Sequence, residues 1–503
     1  MGIIARQSIK GALANYIGVF IGFLTTFFVL TNCLTQEEIG LTRVMVDAAL
    51  LFSGLAQLGT NSSIIRFYPY FKDPEKRDHG FFGWTILLPF IGFTIFTICF
   101  FVFKENIIHI YSERSPLIVD YFYLLLPLTF FALYQSVFEI NASVLLRITV
   151  PKIIREIGIR LFNLVAYILY GADLISLDMF VILFCSAYGI ATLLNFFYLI
   201  SLGKISFKID FKFVDRKFLK EICQYTLFMT ATVLAGNIAL INSLFLGAKA
   251  SLALAGIYTI ASYIANVIEI PYRSLGAISQ PMIAQAMKDH DRPEVNRLCK
   301  QVSLHQFLIS SLLFYFIWIN LAALFAIIPN GEDYVSGMGV VFFLGLAKII
   351  NSSFCISSNV LNYSRYYMLA LPLIAILTLS AIFLNNYLIP LWGLNGSACA
   401  TLFAYLIYFV LLLSLIQWKL KVNLFSRGQL TIIAIVLILF GIDYLWQLGV
   451  THLFQLDSII ALLINSVIKS ILFALLAATA IYKLKISLPV NAIIDKFLTK
   501  IKR

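Results

Sequence analysis

A chain of 503 residues that is 61% hydrophobic and only 12% charged, with a mean hydropathy of +0.92, has the composition of a polytopic membrane protein and excludes a soluble globule. Its net charge of +12 does not call for nucleic acid, because no loop is long enough to build a basic folded domain with aromatic platforms. The excess cations suit a membrane surface instead, facing anionic headgroups.

The predicted elements are fourteen apolar stretches, at 11–34, 40–62, 80–103, 118–142, 151–172, 178–202, 218–247, 251–275, 300–328, 334–360, 367–389, 393–417, 429–449 and 459–483. Each reaches the ~20 residues a helix needs to cross ~30 Å of hydrocarbon. The first is too long for a signal-peptide core of ~7 to 15 residues and lacks an A-x-A site, so it reads as an uncleaved span. The loops between the stretches alternate in charge. Arg6 and Lys10 precede the first span, Lys72, Lys76 and Arg77 fill the second loop, Arg147 and Lys152 the fourth, and Lys204, Lys208, Lys212, Arg216 and Lys217 the sixth. The later even loops and the tail continue the series, whereas the odd loops hold only Lys104, Arg114 and Lys249. By the positive-inside rule, both termini and every even loop are cytoplasmic.

The expected fold class is an all-α polytopic membrane protein with 14 transmembrane helices, two parallel six-helix lobes plus two extra C-terminal helices. The basic connection GKISFKIDFKFVDRK at 203–217 reads as the hinge between lobes. The domains are then 1–205, 206–420, a pair of helices over 421–486 and a tail over 487–503. In that tail Val490, Ile493, Ile494, Phe497, Leu498 and Ile501 share one helical face opposite lysines, the pattern of a helix lying on the cytoplasmic membrane surface. A weak internal repeat sets Gly40 on Gly256 and Gln57 on Arg273. An even number of spans per half makes such copies parallel, an arrangement in which transporters bind substrate between halves near the midplane.

Seven cysteines stand singly, with no CxxC and no Cys/His cluster, so free thiols and no metal site are expected. No P-loop and no HExxH occur, and the short odd loops leave little room for an external active site. An ion gradient, the membrane potential or a downstream sink must then supply any driving force.

Charges inside a span cost at least ~2.5 to 3.5 kcal/mol on insertion scales, which makes each a functional candidate. They are Arg43 and Asp47 in span two, Arg160 in span five, Glu269 and Arg273 in span eight, Lys348 in span ten, Asp443 in span thirteen and Lys469 in span fourteen. Arg43 with Asp47, and Glu269 with Arg273, are i,i+4 pairs, and the second pair brackets Pro271, where a kink is expected. Mutual neutralisation explains Arg43 and Asp47 as readily as a gating or ion-coupling role does. Asp443 and Lys469 read as a structural pair. Lys348 lies about 20 Å from either end of its span at 1.5 Å per residue, on a polar stripe with Ser352, Cys355, Asn359 and Asn362, flanked by Asn351 and Ser358. Such a stripe must face water, ligand or another polar helix. Span seven adds Asn237 and Asn242, and span one has a GxxxG at Gly18 and Gly22. More cations than carboxylates within the spans favour an anionic, phosphorylated substrate over a cationic drug.

Three segments carry a resemblance: LTQEEIG leading into QLGTNSSIIRFYPYF at 57–71, LAGIYTIASYIANVIEIPYRSLGAISQPMIAQ at 254–285, and GLNGSACATLFAYLIYFVL at 393–411. They are similar to the polysaccharide biosynthesis flippases, which share a superfamily with the lipid II flippases and the multidrug and toxin extruders. The resemblance implies a V-shaped bundle that alternates between inward and outward openings. It would carry an undecaprenyl-pyrophosphate-linked oligosaccharide across the bacterial inner membrane for surface polysaccharide synthesis. The expected substrate-binding residues are Arg273, Lys348, Arg160, Asn237 and Asn359, and the gating or ion-coupling residues Asp47, Arg43 and Glu269. No cofactor is expected, and the coupling ion, sodium or proton, is left open. Expected partners are the lipid-linked substrate, membrane lipids and glycan polymerase machinery, with the chain a monomer. Two other readings stand beside this one, an ion-coupled multidrug exporter of the same fold and a membrane-embedded polysaccharide polymerase.

Overall fold

The computed structural model describes residues 14, 17–73, 75–203, 206–210, 213–234, 238–453, 459–486 and 491, and among them every regular element is helical. Among the described residues ten helices are long and apolar enough to cross a membrane, and Ile17–Cys33 is apolar but shorter. The cytoplasmic tail expected over 487–503 lies outside the described residues except for Asn491. We name the main helices α1 (Ile17–Cys33), α2 (Gln36–Ala56), α3 (Thr60–Phe71), α4 (Phe81–Val102), α5 (Leu125–Val144), α6 (Ile159–Gly171), α7 (Leu177–Ser201), α8 (Arg216–Leu234), α9 (Ile238–Lys249), α10 (Leu252–Asn266) and α11 (Ile270–Lys288). They continue with α12 (Arg292–Ile319), α13 (Met338–Phe354), α14 (Ile356–Asn362), α15 (Ala370–Leu420), α16 (Arg427–Leu453) and α17 (Ile459–Lys483).

Ten rather than fourteen are found among the described residues because spans one and five are interrupted, span seven is described in two pieces, Arg216–Leu234 and Ile238–Lys249, and spans eleven and twelve run together. A π-turn at Thr25–Leu30 sits inside α1, and another at Ile154–Gly158 precedes α6; such turns insert a residue into the helical ladder and are frequent at functional sites. Span two divides into α2 and α3 at Gly59, which has φ 68°, a conformation that costs glycine alone nothing. The stretches at 367–389 and 393–417 form the single run α15, interrupted at Gly393, where φ 53° and ψ −125° leave the helical region.

The chain divides into two compact units, Met1–Thr259 with Ile389–Leu394, and Ile260–Leu388 with Asn395–Arg503. In the first, α2 packs on α4 and α5, α5 on α7, and α6 on α7, while α8 and α9 lie against α3 and α2. Its core is largely aromatic, with Phe67, Phe71, Phe81, Phe82, Tyr134 and Phe138 in one cluster. The start of α2 is fixed by a capping box. The Thr35 side chain accepts from the Glu38 amide and Glu38 accepts from the Thr35 amide, satisfying two donors that the helix start would otherwise strand. The described part of the basic connection is not a free tether. The Asp210 amide donates to the His79 carbonyl at 3.2 Å, the His79 ring stacks on Phe213 with centroids 3.8 Å apart, and a side chain on Gly80 would collide with the Lys208 carbonyl.

In the second unit α12 is central, packed on α11, α13 and α16. The last two spans are tied to it by polar bonds that hydrocarbon cannot replace. The Tyr315 hydroxyl donates to the Leu439 carbonyl at 3.1 Å and Asn320 donates to Ser470 at 2.8 Å, while Lys469 meets Asp443 at 3.0 Å between the two spans themselves. The pairing expected of Asp443 and Lys469 is present.

Candidate functional site

Within the first unit, Asp47 is 2% exposed and its carboxylate is shared by two donors, Arg43 Nε at 2.7 Å and Ser243 Oγ at 2.5 Å. The i,i+4 pair expected from spacing is present. Ser243 on α9 is the partner that spacing could not reveal, and it turns an intrahelical pair into a bond between spans two and seven. One turn away from Arg43, Gly40 faces Gly256 of α10. A Cβ on Gly40 would press into the Leu252 carbonyl and approach the Gly256 amide, and a Cβ on Gly256 would press into the Gln36 carbonyl and approach the Gly40 amide. The contact is reciprocal, and the offset that sets Gly40 on Gly256 also sets Gln36 on Leu252. Two equivalent segments crossing on a local two-fold axis produce such reciprocity. Beside them Asn242 donates to the Tyr258 hydroxyl at 2.6 Å, joining α9 to α10.

Arg160 is committed elsewhere in this unit. Its guanidinium donates to the Gly18 carbonyl of α1 at 2.8 Å and to Glu156 at 3.3 Å, while Arg155 bridges Glu156 and Glu139 at 2.9 and 2.6 Å. Gly18 is small for a reason: a Cβ there would stand 2.8 Å from Glu156. Arg160 therefore braces span one against span five.

Within the second unit, Lys348 is 9% exposed and its ammonium lies 3.1 Å from Glu269. The other Glu269 oxygen accepts from Asn351 at 2.8 Å. Glu269 closes a 3-10 turn, Val267–Glu269, and Pro271 stands at the start of α11. Proline supplies no amide to the preceding turn, so the α-helix gives way there. The expected kink is thus realised as a break, and the carboxylate released from regular helical register meets span ten. Cys355 breaks span ten at a comparable point, between α13 and α14. On the polar stripe, Ser358 bonds the Tyr408 hydroxyl at 3.1 Å. The buried Ser352 Oγ and Asn359 Nδ2 have no partner among the described residues. Buried donors are nearly always satisfied, so this end of the stripe is the part best disposed to a ligand.

Two expected residues escape description. Asn237 lies outside the described residues, as does the side chain of Arg273, whose backbone falls in α11. For the rest, each spanning cation is neutralised within its own unit: Arg43 by Asp47, Arg160 by Glu156, Lys348 by Glu269. The excess of positive charge expected from counting residues is not, among the described residues, an excess of unpaired cations.

Helices broken at buried charges, in a chain of this length and hydropathy, define a multi-pass membrane protein of transporter architecture. The solved structures with this fold agree. The lipid II flippase MurJ in an inward closed conformation is 14% identical and aligns over 96% of this chain and 100% of its own, with a TM-score of 0.72. An inward-facing multidrug resistance transporter of the MATE family in the MOP superfamily aligns over 82% of this chain and 95% of its own at 15% identity and TM-score 0.56. A MOP superfamily transporter from Pyrococcus furiosus, described by the reverse polarity of its binding pocket, aligns over the same shares at 13% identity and TM-score 0.51. At these identities the likeness establishes the fold. No curated protein matches the sequence. The sequence model of the polysaccharide biosynthesis proteins matches residues 4–287, and the chain belongs to that family.

Proposed function

We propose that this protein flips an undecaprenyl-pyrophosphate-linked oligosaccharide across the bacterial inner membrane by alternating access, for surface polysaccharide synthesis. One conjunction supports the reading: a polysaccharide biosynthesis sequence on a backbone shared with a lipid II flippase. The proposal keeps fourteen spans, both termini in the cytoplasm, and lobes dividing at 205/206. The pyrophosphate exchanges with carboxylates for the embedded cations, with Lys348, Arg273 and Asn359 as contacts, while the polyprenyl tail stays in lipid. Arg160, already holding span one, contributes by positioning that span. The chain acts as a transporter and not as a polymerase, and it works as a monomer beside the polymerase machinery.

A strain lacking the chain is expected to accumulate lipid-linked repeat units on the cytoplasmic side, and normal surface glycan in that strain rejects the proposal. Arg273→Ala is expected to abolish complementation at normal expression. Sugar-polymerising activity of the purified protein would transfer the function to the enzyme class instead.

The exporter reading requires an acidic cation site in the amino-terminal lobe. Asp47 is the carboxylate available, and its Oδ2 is engaged by Arg43 and Ser243. In the gating role we assign to it, Asp47→Asn weakens the bond between spans two and seven by about 1.5 to 3 kcal/mol, the range for hydrogen bonds to charged groups. Thermal unfolding in detergent measures the loss, and an unchanged midpoint counts against the Asp47–Ser243 bond as a gate between the spans.

A further inference from the structure

A cavity of about 260 Å³ lies inside the first unit between α3, α4 and α8. It exceeds the ~150 Å³ apolar cavity that takes benzene in an engineered protein. Its walls on α3 and α4 include the rings of Phe67, Phe71, Phe81 and Trp84. Its wall on α8 is a single helical stripe, Leu219, Ile222, Cys223, Thr226, Leu227 and Thr230, the spacing of one helix face. The hydroxyls along it are turned to each other or to the backbone: Ser63 and Thr226 bond at 2.8 Å, and Thr230 donates to the Thr226 carbonyl at 2.8 Å. What remains facing the cavity is hydrocarbon. Leu227 is 70% exposed and Leu219 44%, so the slot is open along α8.

Length and charge identify the occupant. From Leu219 to Thr230 the slot follows α8 for about 16 Å at 1.5 Å per residue, close to the ~15 Å of one leaflet in a ~30 Å hydrocarbon core. It begins where α8 begins, beside exposed Arg216, Lys217 and Lys220, and Lys72 is exposed where α3 ends. Acids stand at this level too: Glu75 is exposed, Asp78 accepts from the Tyr68 hydroxyl at 3.2 Å, and Asp210 lies 3.3 Å from the His79 ring. Asp215 accepts from the Phe218 amide at 2.7 Å, Glu221 pairs with Arg66 at 3.1 Å, and Asp73 lies 3.5 Å from the His79 ring. Arg66 itself also lies over the Tyr225 ring at 4.3 Å. Four cations around the mouth of a one-leaflet slot fit a lipid with a negative headgroup, since each Lys or Arg near an anionic surface contributes ~1 kcal/mol.

We infer that this slot holds one acyl chain of an anionic phospholipid of the cytoplasmic leaflet, its phosphate set against Arg216, Lys217, Lys220 and Lys72. The lipid is a resident ligand, separate from the substrate carried, and the inference does not depend on what that substrate is. A chain seated there packs on span three and on span seven at once, so it fills the seam between them without a protein side chain.

Trp84 in the wall reports occupancy. In a variant with Trp318, Trp392, Trp418 and Trp446 each replaced by Phe, reconstituted full-length protein is titrated with lipids brominated at mid-chain. Brominated phosphatidylglycerol is expected to quench Trp84 at a mole fraction about fivefold or more below that needed with brominated phosphatidylcholine. Arg216→Gln, Lys217→Gln, Lys220→Gln and Lys72→Gln together bring the two headgroups level, and Cys223→Phe, which fills the mouth with a ring, lowers quenching by both. Equal quenching by the two headgroups in the parent overturns the inference. So does unchanged quenching in the Cys223→Phe variant, or quenching by a brominated polyprenyl phosphate alone, which would give the slot to the tail of a carried lipid.

Discussion

Gly40→Ala and Gly256→Ala are each expected to reduce transport severely at near-normal expression, and the double variant to abolish it. The reason is geometric. At both positions the added Cβ meets a backbone carbonyl of the opposing helix, and backbone cannot rotate aside as a side chain can. Overpacking of this kind costs ~1 to 3 kcal/mol. Were all of it charged to the state in which α2 and α10 cross, the equilibrium between crossed and uncrossed states would move by about 5- to 150-fold. On the proposed topology the crossing lies at the outer ends of spans two and eight, so the state lost is the one closed to the outside. Two measurements check this. Surface polysaccharide in a complemented deletion strain reads transport, and an impermeant maleimide on Ser251→Cys, with the native cysteines replaced, reads outer exposure. Labelling is expected to rise in Gly40→Ala. Gly441→Ala, at a glycine with nothing within 4 Å of the added Cβ, is the control and is expected to be silent. Parental transport and parental labelling in Gly40→Ala would remove the crossing from the mechanism.

The crossing also shows what could be read from residues and what could not. The pairing of Gly40 with Gly256 was legible as a weak repeat, because equivalent backbones need equivalent small residues; that the two then touch each other is a property of the axis, which no single segment encodes. The buried charges were legible because a spanning charge is costly anywhere in the sequence. Their partners were legible only within one helix. Arg43 and Asp47 are four apart and meet, whereas Ser243 reaches Asp47 from a different span. Glu269 is engaged by Lys348 and Asn351, which reach it from span ten and which spacing within span eight could not reveal. The 3-10 turn before Pro271 advances ~120° per residue rather than ~100°, which changes the face that Glu269 presents relative to the residues after the break. Counting charges per span likewise gave a cationic interior, because a count cannot see which carboxylate from a neighbouring helix closes each pair.

That closure changes how Lys348 must be tested. Lys348→Met alone leaves the Glu269 carboxylate, whose side chain is 13% exposed, with Asn351 as its remaining bonded partner among the described residues. Removing one member of a buried pair costs ~3 to 5 kcal/mol, so loss of transport in the single variant would follow from misfolding as readily as from lost substrate contact. The double variant Lys348→Met with Glu269→Gln separates the two. Replacing both charges by neutral groups of similar shape is often neutral for stability, and thermal unfolding is expected to return close to the parent. Transport is expected to stay lost, because a pyrophosphate that displaces Glu269 would find no ammonium. The lost contact corresponds to ~2 to 5 kcal/mol, or about thirtyfold and more in affinity for the lipid-linked substrate. The charge swap Lys348→Glu with Glu269→Lys sharpens the comparison, since it keeps the ion pair and moves the cation to span eight. Substrate binding that survives in the swap but not in the neutral pair makes the cation itself the requirement, wherever it stands. Parental transport by the neutral double variant makes Lys348 and Glu269 a pin between spans eight and ten, and the anion contact must then be sought at Arg273.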